Sequence, residues 1–233
     1  MSRQLYVKYA YLLPFLGLSL PLTTSAASAC DTGSDLLSYA PVSSNQYEVM
    51  RNGKKIGDHV IHFEQDGEAL KVIAETNMEV RFLFITAYQY QYRSEEQWCR
   101  SELQTVTTRV DDNGTVKETS ARRSEEGYIV QRDGEEGFIA GQFPSTNHWN
   151  VAAVESDRLF NTITGKLNSV SVSALDMAGR QTQPMRYAIR GELNIDTIYD
   201  PAGNWLGMSF EHGDGSTIEF RCVDCANTPD NPA

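Results

Sequence analysis

The sequence predicts an all-β fold, an antiparallel β-roll or half-closed barrel of about a dozen short strands with one short helix. Three observations predict it. Short runs of alternating apolar and polar residues recur from Tyr47 to Cys222, the pattern of half-buried strands. Asn52-Gly53, Asp66-Gly67 and the Asp111-Asp-Asn-Gly114 turn punctuate them with residues that suit tight hairpins. No fixed-period repeat, low-complexity tract or flexible linker divides the run, so one β-rich domain is expected over residues 46–222.

Taken in order, Tyr47 to Arg51 leads through Asn52-Gly53 into Ile56 to Phe63, and the alternation resumes from Ala69 to Val80. In the run Phe82 to Tyr92 the rings of Phe82, Phe84, Tyr88, Tyr90 and Tyr92 fall on even positions, which in a single strand share one face. Such a stripe suits a stacking platform for a sugar, acyl chain or aromatic ligand, with Tyr88, Tyr90 and Tyr92 as the candidate ligand-binding residues. It equally suits a buried face of cross-strand aromatic pairs, the ordinary filling of a strand. Further strands are expected over Gln97 to Val110, Thr115 to Arg123, Gly127 to Arg132 and Gly137 to Phe143.

The rhythm breaks at Pro144-Ser-Thr-Asn-His-Trp-Asn150. Pro144 has no N–H to give to a ladder, and Asn147 or Asn150 suits the N-cap of a short helix over Val151 to Phe160. Strand patterns return at Lys166 to Ala174, Met185 to Gly191, Leu193 to Tyr199, Trp205 to Glu211 and Ser216 to Cys222, and residues 223–233 read as a flexible tail.

Residues 1–29 have the build of a secretory signal peptide: Arg3 and Lys8, an apolar run from Tyr9 to Leu22 too short to span a bilayer, and small residues ending Ala27-Ser28-Ala29. Cleavage there places Cys30 at the head of a lead-in over residues 30–45 and predicts a periplasmic protein. A lipid anchor on Cys30 is the alternative. Ala27 at the third position before the cysteine and the polar residues after the apolar run weigh against it. So does parity, since an acylated Cys30 leaves Cys99, Cys222 and Cys225, an odd number for an oxidising compartment. Otherwise the four cysteines form two disulfides, with all three pairings open.

Loss of Arg3 and Lys8 with the signal leaves 18 cationic residues against 31 acidic ones, a net charge of −13, which disfavours nucleic acid as a partner. No nucleophile elbow, phosphate loop, dinucleotide fingerprint or His-Glu-x-x-His is present, and no cofactor is predicted. Nor is a metal: His59 and His62 are three apart on one strand and point to opposite faces unless a bulge intervenes, for which Gly57 is the only nearby device. Cys222-Val-Asp-Cys225 follows a strand rather than opening a helix, so it reads as structural, tying the last strand to itself, to Cys99 or to Cys30.

The remaining chemistry is His148, a candidate acid or base with Trp149 as an apolar wall and Asn147 and Asn150 to orient it or a ligand. The competing reading makes an asparagine the helix cap, Trp149 a plug at one end of the barrel, and His148 a backbone-bonded core residue. Asp196, Tyr199, Asp200, Asn204 and Trp205 read as a decorated hairpin.

These segments together resemble a known family. Tyr47 with Asn52-Gly53 and Ile56-Gly57, the run Thr108 to Gly114, Asn147 to Asn150 with Asn161 to Gly165, Tyr199-Asp200 before Gly203-Asn-Trp205, and Asp214-Gly-Ser216 are similar to the exported bacterial domain of unknown function 6134. The resemblance implies an exported β-rich domain and brings no catalytic residues with it. The function expected first is binding or carrying a small apolar or amphipathic ligand, such as a lipid or glycolipid, in a barrel-like cavity. The alternatives are a cofactor-independent lyase, isomerase or hydrolase using His148, and an envelope scaffold whose partner is another protein.

Overall fold

The computed structural model describes residues 44–66, 69–82, 85–99, 102–175 and 183–225. The expected signal peptide, Cys30 and the rest of the lead-in to residue 43, Gly67, Phe84, and the tail from residue 226 lie outside the described residues.

Among the described residues fourteen strands form one sheet. The first eight are β1 (Asn45–Arg51), β2 (Lys54–Asp66), β3 (Ala69–Phe82), β4 (Ile85–Cys99), β5 (Glu102–Asp112), β6 (Thr115–Arg123), β7 (Gly127–Arg132) and β8 (Glu135–Ala140). The other six are β9 (Arg158–Asn161), β10 (Lys166–Ala174), β11 (Met185–Gly191), β12 (Ile195–Tyr199), β13 (Trp205–Glu211) and β14 (Thr217–Asp224). Each run is an antiparallel meander. They join at the centre of the sheet, where β1 pairs with β14, so β8 and β9 are left as its two edges.

Turn chemistry sets the register. Asn52-Gly53, Asn113-Gly114 and Asp133-Gly134 all have positive φ at both residues, the backbone of the two-residue turns that match strand twist. Gly57 does a different job. It lies opposite the bulge between Val49 and Met50, and a Cβ there would sit 2.1 Å from the Asn77 carbonyl oxygen.

The rolled sheet closes through side chains and one crossing segment. The connection from β8 to β9 enters the roll, where Ser145 bridges Phe160 in parallel, with Phe160 N–H donating to Pro144 O and Thr146 N–H to Phe160 O, both at 2.9 Å. Phe143 stacks between Tyr128 of β7 and Phe160 of β9, at ring distances of 4.8 and 5.7 Å. Thr119 of β6 donates to the carbonyl of Thr162 just beyond β9, fastening one end of the sheet across the other. The core is therefore the inside of the roll, while ion pairs such as Lys71 with Glu95 and Arg109 with Glu118 lie on its outer face. Among the described residues no helix is long and apolar enough to cross a membrane.

Apart from shifts of a few residues, such as β8 at Glu135–Ala140 and β14 running to Asp224 inside the expected tail, three expected elements differ. The helix over Val151 to Phe160 is a single 3-10 turn, Val151–Val154, capped by Asn150, whose Oδ1 accepts from Ala152 N–H at 3.0 Å. β-Branched Val151 and Val154 are poor helix material, and the chain leaves at once to form β9, whose Leu159 and Phe160 are fully buried. The stretch Phe82 to Tyr92 is shared between the end of β3 and the start of β4, and Gln97 to Val110 between β4 and β5. Leu83-Phe84 separates the first pair of strands and Arg100-Ser101 the second, so a single serine is the sole turn residue to announce either.

Because Gly57 has backbone where a side chain would go, Gly57→Ala is expected to destabilise the fold by about 2–3 kcal/mol. Gly53→Ala, with open space around it but positive φ, is expected to cost about 1 kcal/mol. Chemical denaturation of the two variants checks the order; equal losses would refute the close approach at Gly57.

Candidate functional site

Strand β4 runs from the open end of the roll to its plug, and its inward residues change character along the way. Tyr88, Tyr90 and Tyr92 come first, then Ser94, Glu96 and Trp98, alternating with outward residues as a strand must. Exposure falls along this row until Ser94 and Glu96 are at 0%.

Glu96 is the anchor of the plugged half. Its Oε1 accepts from Ser145 Oγ at 2.5 Å and Asn147 Nδ2 at 2.8 Å, and its Oε2 from Trp149 Nε1 at 2.8 Å and Trp98 Nε1 at 2.9 Å. All four partners are uncharged. Three of them belong to the crossing segment, so one carboxylate holds Ser145, Asn147 and Trp149 in place. Burial pushes the carboxyl above its ordinary value, and the four donors pull against that shift. Trp149 meets Trp98 edge-on at 5.4 Å and Phe63 at 5.6 Å, completing the plug.

On the other side of Asn147 lies a predominantly apolar cavity of about 610 Å³. Its wall includes Tyr88, Tyr90 and Tyr92 of β4, Trp205 and Met208 of β13, and Phe220 of β14. Asp112, His212 and Asp214 are exposed at its rim, where Arg51 pairs with Asp214. Burial raises Tyr88 and Tyr92 to about 12 and raises Tyr90 as well, so all three hydroxyls stay neutral. A volume of this size lies within the range of small-molecule sites.

At the inner end, Tyr92 OH donates to Asn147 Oδ1 and lies 2.9 Å from Thr162 Oγ1, while Asn147 Nδ2 also reaches Ser94 Oγ at 3.0 Å. His59 of β2 bonds through Nδ1 to Thr76 Oγ1 at 2.8 Å and packs among Tyr47, Trp205 and Phe220. His148 is held differently. Its backbone carbonyl accepts from Tyr199 OH at 2.8 Å, and its ring lies against Trp205 at 6.0 Å, with planes 25° apart. The ring itself makes no hydrogen bond among the described residues, and its Nδ1 is wholly buried without a partner. A buried polar atom left unpaired costs about 1–3 kcal/mol. Burial lowers His148 to about 4; burial and then the neighbouring His148 lower His59 to about 3.

Of the residues singled out from sequence, Tyr88, Tyr90, Tyr92, Asn147 and His148 meet at the cavity. Trp149 and Asn150 do not: Trp149 faces the plug, and Asn150 caps the 3-10 turn and borders a smaller recess beside Trp98 and Tyr128. His62 is exposed, on the opposite face of β2 from His59. Among the described residues no group of histidines, cysteines and carboxylates is placed to hold a metal. Cys222 and Cys225 are bonded to each other, Cys99 is also disulfide-bonded, and Cys30 is outside the described residues. Sequence reading missed Glu96, and weighed His59 only as a metal ligand. An acid at an inward position of a strand, two residues from a tryptophan on the same face, was the available signal for Glu96.

The rolled sheet around an apolar cavity defines a β-barrel-like protein. The fold is similar to a crystal structure described as a beta-barrel-like protein of domain of unknown function DUF1849 from Brucella abortus. The two share 12% sequence identity and a TM-score of 0.54 over 80% of this chain and 97% of that one. The chain itself belongs to the family described as domain of unknown function DUF6134, which matches residues 47–223. None of the curated proteins matches it.

Two outcomes follow from the buried ionisable groups. Glu96→Gln keeps the volume but turns an amide N–H₂ toward donors, and is expected to cost about 2–4 kcal/mol by thermal or chemical unfolding; an unchanged midpoint would remove Glu96 from its anchoring role. The histidines set a pH dependence. Their folded values lie below the ordinary 6.5, so the unfolded chain takes up protons first, and stability present above pH 6.5 is lost as pH falls toward 4. The two together account for roughly 4 kcal/mol by pH 5, blunted by Glu96, whose raised value works in the opposite direction. His148→Phe should remove about half of the histidine contribution to the slope of melting temperature against pH. A slope equal to that of the parent protein would contradict the buried, neutral His148.

Proposed function

We propose that the protein is exported to the periplasm and there binds or carries a small apolar or amphipathic molecule, a lipid or lipid-linked compound, in the cavity of its rolled sheet. The observation that carries this reading is the cavity itself: about 610 Å³, walled by aromatic and aliphatic side chains and fringed with polar groups at the rim. The polarity of the sheet supports it. Ion pairs cover the outer face and apolar residues face inward, the reverse of a barrel that meets lipid with its outside.

Catalysis has one observation in its favour, the unpaired ring of His148 at the cavity's inner end. An acid or base needs an orienting partner, and among the described residues that ring has none. An interaction scaffold would use β8, a free edge carrying Phe138 at 55% exposure, although Glu135 and Glu136 at its start discourage strand addition.

The test is native mass spectrometry of the protein from the periplasm of an exporting host, before and after solvent extraction. A discrete added mass that extraction removes is expected. Ala74→Phe, which places a ring in the cavity wall, should abolish that mass while the variant still melts cooperatively. A clean apo mass, together with no uptake of a neutral fluorescent probe such as N-phenyl-1-naphthylamine, would refute the carrier reading.

A further inference from the structure

The inner end of the cavity says what kind of polar group its occupant carries. Five side chains there have polar atoms already committed within the protein: His59 with Thr76, and Tyr92 with Asn147 and Thr162. Each of these five thus makes a hydrogen bond within the protein, and all are uncharged. His148 is the exception. Stacking on Trp205 and the grip of Tyr199 on its backbone fix where the ring stands, and neither uses a ring nitrogen. The imidazole is thus positioned without spending its hydrogen-bonding capacity.

Charge decides the rest. Among the described residues no lysine or arginine borders the inner end; Arg51, the one arginine among them that lines the cavity, lies at the rim and is engaged with Asp214. A carboxylate or phosphate pushed to the inner end would lose its water without gaining a counter-ion, whereas a hydroxyl or carbonyl would lose little. Nδ1 is shut off from the cavity, so the ring meets an occupant through Nε2, which in a neutral imidazole is donor or acceptor according to tautomer and so can match either of those groups.

We infer that the occupant is a neutral amphiphile that enters with its polar group foremost, an uncharged hydroxyl or carbonyl hydrogen-bonded to His148, and lays an alkyl or isoprenoid body along Tyr92, Tyr90 and Tyr88 toward the rim. This rests on the carrier reading and adds the class of ligand and its direction of entry. The lowered titration of both histidines agrees with it, because the imidazoles bring no positive charge to attract an anion at neutral pH.

The experiment is displacement of N-phenyl-1-naphthylamine from the mature protein at pH 7.5 by 1-decanol and by decanoate, a matched pair differing in head-group charge. Decanol is expected to bind at least about tenfold more tightly than decanoate. His148→Phe, which keeps a ring against Trp205, should weaken decanol about three- to tenfold, with displacement calibrated against the probe affinity measured for that variant. His148→Gln, retaining a donor and an acceptor, should keep most of the decanol affinity. A measurement free of variants is the ¹⁵N shift of the His148 ring, which should move on adding decanol. Decanoate binding as tightly as decanol would overturn the neutral head group, and so place the polar end at the rim. Unchanged decanol affinity in His148→Phe, or an unmoved ring shift, would overturn the role of His148. In both cases probe binding would persist, so the carrier reading would survive; failure of the parent protein to bind probe or decanol would sink both.

Discussion

The carboxylate of Glu96 is the contact on which the inside of this molecule depends. A fully buried acid is expensive unless its oxygens are satisfied, and here both oxygens accept two hydrogen bonds from neutral donors. Three of the four donors sit on the segment that links the sheet's two edges. That segment has almost no backbone pairing of its own beyond its contact with Phe160, so its path is dictated by where Glu96 stands. The network runs on through Asn147 to Tyr92 and Thr162, tying the plug to the floor of the cavity. A half-satisfied network of this sort would be worse than none, which makes the arrangement specific as well as stabilising.

The same arrangement separates two functions of one strand. Toward the plug, β4 presents Ser94, Glu96 and Trp98, whose polar atoms are consumed by the protein. Toward the rim it presents three tyrosines that line open volume. Period-two alternation guarantees that all six point inward, and burial along the row turns from partial to complete as the crossing segment comes in above it. The family-like motifs scattered through the chain also meet in this region. Tyr47 donates to the backbone of Trp205, Tyr199 to that of His148, and Thr162 stands beside Tyr92, so residues that look like isolated turn chemistry hold three lining residues of one cavity in place.

Much of the fold is legible in the sequence because its signals are local. Alternation and Asn-Gly pairs locate most strands, and membership of the DUF6134 family agrees with the resemblance of the same segments. The reversals after Phe82 and Cys99 were hidden, since hairpins can be closed by residues with little turn preference once long flanking ladders fix the register. The candidate site was half visible. Tyr88, Tyr90 and Tyr92 follow from period two, and Asn147 and His148 from their place in a proline-led break. Glu96 and His59 were not visible as parts of the site, because their importance lies in partners 49 to 53 residues away for Glu96 and on a neighbouring ladder for His59. Trp149, adjacent to His148 in sequence, faces the opposite way for the same reason: Glu96 draws its indole toward the plug.

The size of the sheet explains why there is a cavity at all. Sheets of about eight strands close on an interior that side chains can fill, and larger ones enclose more space than they can. With 14 strands in one roll, the inward side chains cannot meet across the middle, and something must occupy it. The crossing segment and the β9 edge fill one half with Phe143, Trp149 and Phe160, anchored by a carboxylate. The other half keeps its apolar wall and gains no such filling. An interior half packed to native density and half left open is an economical division only if the open part has an occupant of its own, since apolar walls facing water gain nothing from being inside. The polar end of that space is where the plug stops, and His148, among the described residues the one buried imidazole whose ring makes no hydrogen bond, stands at that boundary.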